Sequence, residues 1–311
     1  MDVRNDDQKE RSPDDWQVDE ASGIEALPRR VERYGNAKAR ALEVAEYIGR
    51  LPESAEFPRR VLRALDTCGD YLLFRHYGAI NEVRLHAAFL CRKHLLCPLC
   101  AIRRGSKCLQ AYLPRFEEVK RLRSALKPFL VTLTVKDGPD LAERFGHLME
   151  SQHELWKRKH RGRSVTAFDG VEAAVWSYEV KRGKGSGLWH PHLHMVAMSE
   201  VPPCASLLAA EWKQITGDSH IVDVRPIDQA DPVSGFLEVF KYALKFSDMS
   251  CADTVEAFEI LRGRRLIGSA GLFRGIEVPE SLLDEPIDDL PFVELLYRYL
   301  PGGYSIESRH A

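Results

Sequence analysis

The 311-residue sequence has no apolar run long enough to cross a bilayer, which takes about 18 residues or more. Its first 20 residues carry eight acids and three bases around no apolar stretch, so no secretory signal is expected. Without export, seven cysteines do not make a disulfide framework; they read as metal ligands or free thiols of a cytoplasmic protein. There is no internal repeat and no excess of charge, with 44 Lys and Arg against 46 Asp and Glu. On totals alone, that balance argues against a polyanionic partner. What is present is ordinary for a soluble chain, 44% apolar and 29% charged, with length for one large domain or two smaller ones.

The even total conceals a segregated pattern. Residues 1–57 carry a net −5, residues 58–270 a net +8, and residues 271–311 a net −5. Between Arg84 and Lys127 there are 11 bases and only two acids, Glu117 and Glu118. A second basic knot comprises Lys157, Arg158, Lys159, Arg161 and Arg163. One such run is most simply a solvated helix face, but two runs between acidic flanks favour a polyanion.

Met1–Glu20 lacks periodicity and reads as a disordered tail, followed by a helix over Ala37–Leu51 and a shorter one over Phe57–Cys68. Tyr71–Tyr77 and Val83–Leu90 read as strands about the turn Gly78–Asn81, and residues 101–125 as a basic amphipathic helix, kinked or broken at Pro114. From Phe129 the pattern becomes strand, helix (141–159), strand (171–181), Gly-rich turn, strand (189–197), helix (205–215), strand (219–225) and helix (234–246, capped by Ser234). A hairpin between helices predicts an α+β fold around an antiparallel sheet.

Cys91, Cys97 and Cys100 place three thiols within ten residues, a spacing that suits tetrahedral zinc and needs a fourth ligand. Cys68 and Cys91 are equidistant from the turn between Ala79 and Ile80, so antiparallel pairing nominates Cys68 over His86, His94 and Cys108. The zinc would be structural, stiffening the hairpin ahead of Arg103 and Arg104. Cys204 and Cys251 follow no pattern.

His190, His192 and His194 alternate along one strand, so all three imidazoles share a face while Pro191, Leu193 and Met195 face the core. Imidazoles on one face make a divalent-metal site, and phosphoryl chemistry also wants an oxygen ligand. A turn centred near Lys184–Gly185 sets Glu179 opposite His190 and diagonal to His192, which makes Glu179 that ligand. Downstream, Glu238, Tyr242 and Lys245 line one helix face. They could serve as base, nucleophile and charge stabiliser, although amphipathic helices often carry such residues without chemistry.

The string HPHLHM, the following EVFKYALK, the upstream FLVTLTV strand, the CxxC-containing basic segment and the late LRGRRLIGSAGLFRG together resemble rolling-circle replication initiators of small plasmids, members of the HUH (histidine-hydrophobe-histidine) endonucleases. The resemblance runs from about Cys68 to Arg274. It implies an antiparallel sheet of about five strands flanked by helices, similar to ferredoxin-like and RNA-recognition folds, preceded here by a small zinc-binding segment. It implies Mg²⁺ or Mn²⁺ at His192 and His194, with His190 and Glu179 as further candidate ligands. It also implies that Tyr242 attacks one origin phosphodiester, leaving a 5′-phosphotyrosine and a free 3′-OH primer, and that Glu238 activates water for termination. Plasmid origin DNA, with a single-stranded or hairpin nick site, would be the partner, alongside host helicase and polymerase; a homo-oligomer is compatible and no membrane is implied.

The chain accordingly divides into an acidic N-terminal tail and helix (1–57), a cysteine-rich zinc- and DNA-binding segment (58–127), a catalytic domain (128–275) and an acidic C-terminal tail (276–311). Arg92, Lys93, Arg103, Arg104, Lys107, Arg264 and Arg265 are the candidate DNA contacts. Three other readings share parts of this pattern. A relaxase or transposase would use the same chemistry; a histidine-triad nucleotide hydrolase would use His192 as nucleophile; a zinc-containing DNA-binding regulator would leave the histidines idle.

Overall fold

The computed structural model describes residues 23–52, 59–162, 164–241 and 249–310. Two helices come first, α1 (Leu27–Gly49) and α2 (Arg59–Thr67). A hairpin of β1 (Tyr71–Tyr77) and β2 (Glu82–Ala88) leads to α3 (Pro98–Leu122). Then come β3 (Lys127–Thr134), α4 (Leu141–Arg161), β4 (Val171–Arg182), β5 (Trp189–Ser199), α5 (Ala205–Thr216) and β6 (Val222–Pro226). The described part of α6 is Pro232–Lys241; α7 (Cys251–Leu261), β7 (Ile267–Gly271), β8 (Val293–Leu300) and β9 (Gly303–His310) complete the order. No described helix is long and apolar enough to cross a membrane.

Five strands form one antiparallel sheet in the order β6-β3-β5-β4-β7, so the histidine strand β5 is central. Alternation divides its side chains. Leu193, Met195 and Ala197 join Phe145, Leu155, Leu208, Trp212 and Leu261 in a core under α4, α5 and α7. Val196 and Met198 face the opposite way, into a core shared with Phe236, Val239 and Phe240 of α6 and Tyr112 and Phe116 of α3. The Phe116 and Phe236 rings meet edge to face at 5.3 Å, locking α6 onto α3. The histidines share that second face, so α6 lies over the candidate site. Ser177 of β4 donates its hydroxyl to the Val239 carbonyl of α6 at 2.5 Å.

The α+β prediction and the central antiparallel sheet hold. Helix α3 runs through Pro114 without a break, and α6 begins ahead of Ser234, with Asp231 Oδ1 accepting from the Ser234 amide at 3.3 Å. The C-terminal boundary needs correction. Residues 276–311 are no tail: β8 pairs with β1 and β9 with β8, completing a second sheet in the order β2-β1-β8-β9. Nor is the end of the 1–57 segment separate, because Val31, Tyr34, Ala41, Val44 and Ile48 of α1 are buried in the same core as the cysteine hairpin. The acid count of 276–290 hid the strand-forming run after it, in which Val293, Leu295 and Tyr297 alternate and pack on the first sheet's core cluster.

Candidate active site

On the β4–β5 ladder Glu179 pairs with His192 and Ser177 with His194. The sequence reading set Glu179 opposite His190, so the register lies two residues away; a shift of two preserves the face. Glu179 Oε2 sits 2.6 Å from His192 Nε2 and 3.1 Å from His194 Nε2. The three candidate ligand atoms lie within 4.8 Å of one another, on side chains that are all buried. Thr132 of β3 approaches His194 Nδ1 at 3.2 Å, which orients the ring from its far side. Two imidazole nitrogens and one carboxylate oxygen, converging without bulk water, are a donor set that fits a divalent cation. With its Nε2 turned onto Glu179, His192 is poorly disposed as the nucleophile of a histidine-triad hydrolase.

His190 does not converge with them and is corrected as a ligand. Its Nδ1 meets Asp137 Oδ1 at 3.2 Å, and it is half-buried at the rim, where Lys181 is its ladder partner. Burial and the neighbouring His192 hold its pKa below the ordinary histidine value despite Asp137. Asp137 is itself fixed by Ser186, whose hydroxyl donates at 2.5 Å.

The four cysteines named from spacing come together at the open end of the β1–β2 hairpin. Cys68 Sγ is 3.5 Å from Cys97 Sγ and 3.6 Å from Cys100 Sγ, and Cys91 Sγ is 3.5 Å from Cys100 Sγ. A tetrahedron with metal–sulfur bonds of ~2.3 Å has edges of ~3.8 Å, so this constellation fits zinc with little movement. Hydrogen bonds from Cys100, Cys68 and Cys97 draw the Cys91 thiol far down, while Cys97 and Cys100 are pushed up by the same contacts. His86, His94 and Cys108 stand outside the group, as do Cys204 and Cys251. Cys108 is buried, which raises its thiol to about 11. Gly69 explains the tightness here: its φ is +72°, and a Cβ would strike Leu99 at 2.6 Å and the Tyr304 hydroxyl at 2.7 Å.

The predicted DNA contacts divide. Arg103 and Lys107 are buried at 1% and 4% exposure, and both pair with Asp284, so no phosphate reaches them. Elsewhere in the basic run, Arg84, Arg115 and Arg123 pair with Glu82, Glu118 and Glu172. Three members of the second knot are committed too: Lys159 Nζ donates to the Phe168, Asp169 and Val171 carbonyls, and Arg158 and Arg161 pair with Glu154. Arg104, half-buried, donates to the Pro279 carbonyl at 2.8 Å, and Lys93 is half-buried with its carbonyl accepting from Leu96 and Cys97. Arg92, Arg264 and Arg265 are exposed. The two late arginines enter the sheet just ahead of Leu266, whose carbonyl accepts from Tyr178, so they stand at the Glu179 end of β4.

Of the predicted helix triad, Glu238 is half-buried on α6, whereas Tyr242 and Lys245 lie outside the described residues. Sequence reasoning missed Asp137 and Asp284, which lie 53 residues from His190 and 181 from Arg103, respectively. Asp137 carried a faint signal, as a carboxylate shortly after a strand leading from the sheet's centre. No solved structure matches the chain. Among curated proteins, Protein rep of Streptococcus pneumoniae serotype 2 (strain D39 / NCTC 7466) is 25% identical over 252 residues, covering 75% of this chain and 76% of that one. Residues 82–295 match the family model described as Replication protein, a span that holds the metal-ligand triad, three of the four clustered cysteines and Glu238. The chain belongs to the replication protein family.

Proposed function

We propose that this protein initiates rolling-circle replication of a plasmid as an HUH endonuclease, cutting one strand of the origin and joining its 5′ end to Tyr242. The observation that carries the reading is the convergence of Glu179, His192 and His194 on the two central strands, beneath a helix whose sequence runs on into Tyr242. A replication protein with a buried two-histidine, one-carboxylate site has the means to act on a phosphodiester.

In this mechanism, the three side chains would hold Mg²⁺ or Mn²⁺, which supplies polarisation of the scissile phosphate and neutralisation of its developing charge. Glu179 fixes both imidazoles, and Thr132 sets the tilt of His194. The Tyr242 phenol, of pKa about 10 in water, is a weak nucleophile until a neighbouring cation such as Lys245 favours its phenolate. Its oxygen bonds to phosphorus as the bond to the 3′ oxygen breaks, leaving a 5′-phosphotyrosine and a free 3′-OH. The phosphodiester's energy stays in the new linkage, so rejoining needs no ATP. Glu238, four residues before Tyr242 in the sequence, is assigned to activate water in the terminating cleavage. Arg92, Arg264 and Arg265 are left to bind backbone phosphates, while zinc at Cys68, Cys91, Cys97 and Cys100 would stiffen the hairpin. Helicase and polymerase would come from the host, in the cytoplasm.

The test is covalent capture. Wild-type protein incubated with origin-bearing plasmid and Mn²⁺ is expected to nick it and to retain a denaturation-stable DNA adduct, lost on adding EDTA. Tyr242→Phe is expected to bind the same DNA and form no adduct. An adduct in that variant, or sequence-specific binding with no nicking by wild type, would overturn the reading.

A further inference from the structure

The metal-ligand triad occupies two rungs of the β4–β5 ladder, and the next rung outward pairs Lys181 with His190. Alternation places both residues on the triad's face, and the His190 ring centroid lies 5.3 Å from that of His192. His190 is held by Asp137 and Ser186 as described. Lys181 is different: half-exposed, its side chain makes no ion pair or hydrogen bond among the described residues. Its neighbour shows what commitment looks like here. Arg182 pairs with Asp253 at 2.7 Å and Glu256 at 3.3 Å, and its guanidinium stacks 3.7 Å from the Trp189 ring centroid.

An uncommitted ammonium on the triad's rim is electrostatically costly once the triad carries a cation, because like charges then face each other. The arrangement becomes favourable when an anionic chain lies across both. Same-face rungs are about 6.6–6.8 Å apart along a strand. A single strand unstacked to about twice its duplex rise of ~3.4 Å per nucleotide advances one phosphate over that distance. We propose that Lys181 binds the phosphate adjacent to the one at the triad, forming a single-stranded DNA phosphodiester subsite one rung out from Glu179 and His192. This inference rests on the DNA-cleaving reading above and names how that site grips its strand.

The experiment measures binding of the full chain to a labelled, mixed-sequence single strand of about 20 nucleotides, in buffer without added Mg²⁺ or Mn²⁺, across roughly 50–300 mM NaCl. For Lys181→Gln, the slope of log affinity on log salt is expected to become shallower by about 0.7, with affinity falling roughly eight-fold near 50 mM salt. Lys181→Arg should restore both values, and Lys184→Gln, in the exposed turn beyond, should match wild type. An unchanged slope in Lys181→Gln, or an equal loss in Lys184→Gln, would overturn the subsite. Adduct formation on the origin-bearing plasmid in Mn²⁺ is recorded in parallel. An adduct alongside an unchanged Lys181→Gln slope removes the subsite alone. A shallower slope without any wild-type adduct keeps the contact and removes the cleavage reading. Absence of both binding and adduct removes both.

Discussion

Asp284 offers the most direct separation of structural from DNA-binding charge. Its carboxylate, 9% exposed, accepts from Arg30 at 3.1 Å, from Arg103 and from the Leu85 amide at 2.8 Å, with Lys107 Nζ at 3.5 Å. These partners tie α1, β2 and α3 to the segment before β8. Replacing the carboxylate by an amide, Asp284→Asn, removes the anion that the buried Arg30, Arg103 and Lys107 share. Breaking a buried ion pair in this way costs about 3–5 kcal/mol. In a chain of this size that lowers Tm by about 6–10 °C, taking ~2 °C per kcal/mol. Burial alone would raise this carboxyl's pKa, but Arg103 and Arg30 outweigh it and hold it far below the usual carboxylate range. A depressed folded-state pKa gives stability that is complete above the unfolded value of about 4 and drains away as pH falls below it. The gap between wild type and Asp284→Asn should therefore be full at neutral pH and shrink below about pH 4. Thermal melts followed by circular dichroism across that range measure it. Arg103→Met should likewise destabilise while leaving the salt slope of DNA binding unchanged. A Tm within about 2 °C of wild type for Asp284→Asn, a pH-independent gap, or a slope reduced by a full contact in Arg103→Met would refute this account.

The other expectations concern the metal centres. Purified protein should carry about one equivalent of zinc, and Cys97→Ser should lose it together with much of its thermal stability, since such binding energy is folding energy; a zinc content well under one equivalent in wild type would remove the site. Glu179→Gln and His194→Ala should each reduce Mn²⁺-dependent nicking by about 100-fold, the upper end of the loss seen when only a ligand's outer support is removed. Raised Mn²⁺ should rescue Glu179→Gln better than His194→Ala, because the amide retains an oxygen donor. Full activity in either variant would place the metal elsewhere.

Much of the candidate site was legible because its information is local. Alternation along β5 needs only consecutive residues, so the shared face of His192 and His194 followed from sequence. The same holds for Cys68 and Cys91, whose pairing depends on a four-residue turn that fixes the hairpin's centre. The β4–β5 turn is longer and rich in glycine, so its centre was less constrained and Glu179 was set two residues out of register. Face survived that error and partner did not; His190, named as a ligand because it shares that face, meets Asp137 instead.

Charge was the property sequence handled least well. Local counting established that the chain is basic in its middle and acidic at its ends, and it raised the prospect of a polyanion. It had no means of showing that Arg103 and Lys107 spend their charge on Asp284, because that contact joins residues 181 and 177 positions apart across the core. Only tertiary packing decides which cations face water and which are desolvated against a carboxylate. By that test the acidic C-terminal segment is structural and much of the basic run is neutralised, while Arg92, Arg264 and Arg265 stay exposed. Sequence alone determined which residue types could do chemistry and which faces they share; the fold decided which of them meet, because strand register and buried charge pairing depend on segments far apart in the chain.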